Sequence, residues 1–97
     1  MRYEIRSIGA FDKWLKSVRD RRAVLAIANR ITRAAAGNLG DIKPVGEGVS
    51  EMRIFVGKGY RIYFCMKGTE VVLLLCGGDK SSQQKDIEKA RSLQKNI

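Results

Sequence analysis

The stretch "MRIFVGKGYRIYF", residues 52–64, decides how this chain is read. Met52, Ile54 and Val56 alternate with Arg53 and Phe55; beyond Gly57-Lys58-Gly59, Tyr60, Ile62 and Phe64 alternate with Arg61 and Tyr63. Successive side chains of a strand point to opposite faces, so the pattern predicts an antiparallel hairpin with one wholly apolar face. A three-residue turn pairing Val56 with Tyr60 sets Phe55 opposite Arg61 and Arg53 opposite Tyr63. The two arginines are then diagonal neighbours on the other face, about 7–8 Å apart, within joint reach of one phosphate. Glu51 shares that face, and an internal ion pair is the competing use of the same cations. Lys58 adds a further cation at the tip.

Working outward, residues 70–77 follow the hairpin after Lys67-Gly68-Thr69 and contain "VVLLLC", an apolar run without alternation. That is expected of a strand covered on both faces, and it completes a meander of segments 49–56, 60–66 and 70–77. Upstream, "GNLGDIKPVGEG" at 37–48 carries four glycines and the only proline and reads as an irregular connection. Residues 2–8 alternate as a half-buried strand. Phe11, Trp14, Leu15 and Val18 mark one face of a short helix. Asp20 is the expected N-cap of a second helix through Ala36, with Val24, Ile27, Ala28, Ile31 and Ala35 inward and Arg22, Asn29, Arg30 and Arg33 exposed. "SSQQ" at 81–84 reads as a capping box, Ser81 with Gln84, opening a last helix with a thin stripe of Ile87, Ala90 and Leu93. The order strand, helix, helix, strand, strand, strand, helix predicts one α+β domain over 1–97, a helical hairpin covering one face of a mostly antiparallel sheet.

Nineteen Lys and Arg against ten Asp and Glu leave a net charge of +9 and a pI near 10.0. Such a balance predicts attraction to polyanions: nucleic acid, ribosomes or an acidic protein partner. Histidine is absent, which removes any mechanism with an imidazole base. With only two separated cysteines as well, no zinc cluster can be written, and no cofactor is implied. Cys65 and Cys76 lie in apolar runs, where reduced thiols behave as small hydrophobes. The start "MRYEIRSIGA" lacks the apolar core of a leader, so the cytoplasm is the expected compartment. Lys80, after "CGGD", falls where a strand ends and a helix begins, and backbone amides there favour anions. Asp79 and Asp86 are its competing partners.

The phrase "GNLGDIKPVGEGVSEMRI", the "GKGYRIYF" hairpin and "LLCGGDKSSQ" together resemble the RelE/ParE superfamily of bacterial toxins from type II toxin-antitoxin modules, and within it the addiction module killer, or HigB-like, branch. The resemblance implies a RelE-like fold and a cognate antitoxin that wraps the toxin and masks its basic surface. Many members cleave mRNA, commonly in the ribosomal A site, whereas the ParE branch poisons DNA gyrase. It follows that this chain is expected to be a metal-independent mRNA endoribonuclease that inhibits translation at the ribosome, with gyrase inhibition as the alternative. Carried over residue by residue, the family's basic site implies Arg61 in "GYR", Arg53 in "EMRI" and Lys80 after "GGD" at the scissile phosphate, with Lys58, Arg30 and Arg33 as further RNA contacts. The chain departs from the family in lacking both the tyrosine of the final helix, where "QQKDIEKA" stands, and the histidines of HigB-type toxins. Either Tyr63 or Tyr60 substitutes, with Tyr63 expected to stack on a base because Tyr60 lies on the core face, or Asp86 or a lysine takes the proton role, or the chemistry leans on the ribosome.

Overall fold

The computed structural model describes residues 2–97. Strand β1 (Glu4–Ser7) leads into helices α1 (Gly9–Ser17) and α2 (Arg21–Ala35). Then come β2 (Ile42–Gly46), β3 (Val49–Ile54), β4 (Tyr60–Lys67) and β5 (Val71–Gly78), and helix α3 (Gln83–Lys95) closes the chain after a short 3₁₀ turn, Lys80–Ser82. The strands form one five-stranded sheet in the order β1-β5-β4-β3-β2. Only the β1–β5 pair is parallel. The expected α+β class and mostly antiparallel sheet therefore hold.

Helix α2 starts where its sequence can satisfy orphan amides. The Asp20 carboxylate accepts from the backbone N–H of Arg22 and Ala23, as its position before an apolar stripe predicts. That stripe is turned relative to expectation: Ala23, Ile27, Arg30 and Ala34 face inward, and Val24 and Ala28 face solvent. Small alanines let the helix lie close to the sheet, so the alanine side rather than the valine side is buried. The side-chain cap falls two residues earlier than "SSQQ" suggests, on the 3₁₀ turn that precedes the last helix. Asp79 caps the 3₁₀ turn through the Ser81 amide, and Ser82 precedes α3 without a side-chain cap bond.

The 37–48 segment is not irregular throughout, since it contains β2. Pro44 lacks an N–H and is confined to edges or bulges; β2 is an edge strand, with its register shift between Pro44 and Gly46.

Two cores sandwich the sheet. Helices α1 and α2 cover one face, where Phe11, Ile27, Met52, Ile62, Phe64 and Leu74 are buried together. Helix α3 covers part of the other, over Val49, Tyr63, Cys65, Leu75, Cys76, Ile87 and Ala90. The face that alternation marks as non-core thus carries a second core under α3, and at the hairpin end it leaves Arg53 exposed. Helix α3 is firmly packed by its Ile87 and Ala90 stripe, and Arg91 donates to the Val45 carbonyl of β2.

A bulge in β5 sets up the open end. Tyr63 pairs with Cys76 and Phe64 with Leu74, which leaves Leu75 extra; Leu75 and Cys76 then both join the α3-side core. Gly77 and Gly78 resume the alternation. A Cβ on Gly77 would meet the Trp14 ring at 2.4 Å, and one on Gly78 would meet Asp86 Oδ2 at 1.8 Å. The doublet lets α1 and α3 close on the strand from opposite sides. Cys65 and Cys76 are buried and free. Among the described residues, no helix is long and apolar enough to cross a membrane.

Candidate nucleic-acid interface

The hairpin loop is five residues long, 55–59, because Ile54 pairs with Tyr60. Relative to the pairing of Val56 with Tyr60, the register moves by two, an even shift that preserves the faces. Its effect is on neighbours: Arg53 now lies directly opposite Arg61, and Glu51 opposite Tyr63. The expected diagonal pair is a direct one.

Both guanidinium groups are held by carboxylates. Arg53 Nη2 donates to Asp41 Oδ1 at 2.9 Å, an ion pair open to solvent on both sides. Asp41, first for its hydrogen bond and then for its charge, raises the Arg53 pKa. Arg61 Nη1 donates to the Gly59 carbonyl at 2.8 Å. Its Nε lies 3.4 Å from Glu51 Oε1, close enough to count as an ion pair but not aligned for a hydrogen bond. Glu51 is only 1% exposed. Its other oxygen accepts from Gln83 Nε2 at 2.9 Å and from the Tyr63 hydroxyl at 3.3 Å. Glu51, Arg61, Tyr63 and Gln83 form one buried polar network joining β3, β4 and α3. The competing use foreseen for Glu51 is therefore realised with Arg61.

The expectation that Tyr63 stacks on a base is corrected here. Its exposure is 0%, because α3 closes over this part of the sheet. Burial, followed by the Glu51 and Asp86 charges, pushes its phenol pKa upward, so it serves neither as a platform nor as a proton acceptor.

Arg30 is also corrected. It is 9% exposed, with Nη1 donating to the Arg53 carbonyl and Nη2 to the carbonyls of Leu39 at 3.0 Å and Asp41 at 3.2 Å. Gly40 makes room, since a Cβ there would lie 2.8 Å from Nη2 at a backbone φ of +70°. Arg30 is an internal clasp that fixes the 39–41 segment and hence the position of Asp41. Arg33 is exposed on α2, which covers the opposite face of the sheet, and is not brought to the hairpin cluster.

Lys58 and Lys80 are exposed, and among the described residues neither pairs with a carboxylate. They meet through the backbone: the Lys80 amide donates to the Lys58 carbonyl at 3.4 Å, joining the hairpin tip to the end of β5. At Gly59, a Cβ would sit 3.6 Å from Lys80 Cβ and 3.7 Å from Arg61 Nη1. This small residue is the meeting point of the tip, Lys80 and Arg61. Asp79 beside them is held below its usual range, chiefly by hydrogen bonds from Ser81, with Lys58 and Arg61 contributing charge. Asp86 does not pair with Lys80; its Oδ2 accepts from Ser82 Oγ.

The cations therefore form an open surface rather than a cavity. A groove of about 680 Å³ lies around the corner, between the α1–α2 junction and the loop, lined by Trp14, Arg19, Asp20, Lys58, Tyr60 and Asp79. Phe55, on the Arg53 face by alternation, is 77% exposed. No group of His, Cys, Asp and Glu that could hold a metal ion occurs among the described residues.

Residues 10–95 match the family described as phage derived protein Gp49-like (DUF891). The chain belongs to the Gp49-like family. That family is of the RelE/HigB toxin type, which places this Gp49-like chain in the RelE superfamily and makes it a toxin of a toxin-antitoxin module. It is 44% identical over 97 residues to an uncharacterized protein of Haemophilus influenzae, covering 100% of this chain and 98% of that one. Its fold is similar to that of a chain in the toxin-antitoxin complex RelBE2 from Mycobacterium tuberculosis, with a TM-score of 0.65, 16% identity, and coverage of 82% of this chain and 100% of the other.

Proposed function

We propose that this Gp49-like protein is an endoribonuclease that cuts translated mRNA at the ribosome and thereby inhibits translation. The observation that carries the reading is the convergence, at the open end of the sheet, of Arg53 and Arg61 in direct register with Lys58 and Lys80 around Gly59.

Metal-independent RNA scission needs the 2′-hydroxyl to give its proton to a base as its oxygen attacks the adjacent phosphorus, forming a 2′,3′-cyclic phosphate while the bond to the 5′-oxygen breaks and that oxygen takes up a proton. The extra negative charge of that transition state is what fixed cations stabilise. Lys58 and Lys80 face solvent and are available to the phosphate. The Arg53–Asp41 pair is open to solvent on both sides and such pairs are weak, so a phosphate can take the place of Asp41. Arg61 is anchored by Glu51 and Gly59 and contributes its field from beneath. Arginine binds the charge without acting as a base. An antitoxin would neutralise the same basic surface, and the toxin-antitoxin setting of the RelBE2 neighbour supports such a partner.

The test is induced expression followed by primer extension on reporter mRNA. Cuts within translated codons, absent from the Arg53→Ala variant, are the expected result; growth arrest with intact transcripts would overturn the reading.

One observation favours inhibition of gyrase instead: with Tyr63 sealed and histidine absent, the cluster offers charge but no aromatic or imidazole proton acceptor. Loss of supercoiling activity in a purified gyrase assay, without mRNA cuts, is its signature.

A further inference from the structure

With Tyr63 sealed, the cationic end of the sheet needs another surface to hold a base, and one aromatic ring lies beside it in the open. Phe55 is 77% exposed. A single exposed apolar side chain is ordinary and by itself carries nothing. Phe55, however, is not isolated. Its ring lies under the Arg53 guanidinium, with the central carbon 5.9 Å from the ring centroid, within the range of a cation–π contact. Arg53 is in turn fixed by Asp41, and Asp41 by the buried clasp of Arg30 on its carbonyl. A chain of contacts from the interior of α2 thus holds one face of an exposed ring against a cation and leaves the other face to solvent.

We propose that Phe55 is a stacking platform for one nucleobase of single-stranded RNA, with a neighbouring phosphate of the same strand lying against Arg53. The proposal rests on the RNA reading above and adds to it the residue that holds the base. A ring already covered on one side by a guanidinium has one face left to offer, and any base has a π-face to meet it. Recognition of this kind is sequence-tolerant, and its strength comes from ring-on-ring contact rather than from hydrogen bonds.

The experiment measures binding of the purified chain to a short, fully 2′-O-methylated oligoribonucleotide, which cannot be cut, by fluorescence anisotropy at fixed salt. Phe55→Ala should weaken binding roughly tenfold to a hundredfold. Phe55→Leu keeps apolar area but has no π-face and should behave as Phe55→Ala does, whereas Phe55→Trp should bind at least as tightly as the parent and show indole quenching beyond that of Trp14 alone. Because Phe55 is exposed, all three variants should keep the parent melting temperature. Unchanged affinity in Phe55→Ala, parental affinity in Phe55→Leu, or no binding by the parent overturns the proposal. So does loss of antitoxin affinity alone, which would make Phe55 a protein contact. A chain that binds this RNA through Phe55 but cuts no mRNA would overturn the nuclease reading and leave the platform standing.

Discussion

Arg53 and Arg61 face each other directly across the β3–β4 ladder, yet each is held by a different carboxylate in a different environment. Like charges placed opposite one another in a sheet repel, and the two anions on either side, Asp41 in solvent and Glu51 in the interior, offset that repulsion. The arginines are therefore not equivalent.

Truncating them should separate stability from activity. Arg53→Ala breaks an exposed pair and should leave the urea midpoint close to that of the parent. Its mRNA cleavage should fall on the order of a hundredfold, the scale for losing one charge-stabilising donor. Arg61→Ala strands the buried Glu51 and should cost about 3 kcal/mol or more in a urea titration. Equal destabilisation by the two substitutions would contradict the environments described.

Tyr63→Phe removes one hydroxyl from the Glu51 network and nothing from the surface. It should lower stability by about 1 kcal/mol while leaving cleavage within about twofold of the parent. A large loss of cleavage in a variant of unchanged melting temperature would restore Tyr63 to the site.

The glycine doublet can be tested against a helical glycine. Alanine at Gly77 drives a methyl into the Trp14 ring and should destabilise by about 3 kcal/mol, whereas alanine at Gly78 meets the Asp86 carboxylate, which can swing aside, and should cost about 1 kcal/mol. Gly9 opens α1 with nothing within 4 Å of its added Cβ, so Gly9→Ala should stabilise by about 0.5 kcal/mol. Thermal melts of the three variants make the comparison.

Stability should fall in alkali. Burial, with Asp86 adding, pushes the Cys76 thiol from 9.0 up to about 11. A group whose folded pKa is raised holds its proton better in the folded state. Its contribution is whole below pH 9.0 and is lost as pH rises towards about 11. Burial shifts Cys65 and Tyr63 in the same direction. Urea midpoints measured across this window should decline, and the decline should be shallower in Cys76→Ala. A midpoint independent of pH would show that the thiol is not sealed.

Much of this molecule was legible before its coordinates. Alternation located β3 and β4 and put Arg53 and Arg61 on one face, and an unbroken apolar run located β5. Asp20 before an apolar stripe marked the start of α2, and the hairpin and "CGGDK" phrases carried the family. All of these are local: a strand's period, a cap and a motif are written within a few residues of one another. Tertiary structure decided the rest, because coverage and register depend on segments distant in the chain. Alternation assigns Tyr63 and Arg61 to the same face but does not say that α3, beginning twenty residues after Tyr63, closes over one and stops short of the other. Nor could the helical period show that Arg30 points at three carbonyls rather than at solvent, or that β2 lends its edge to a proline. Which cations stay free for an anion follows from what packs beside them, and that is settled only when the chain has folded.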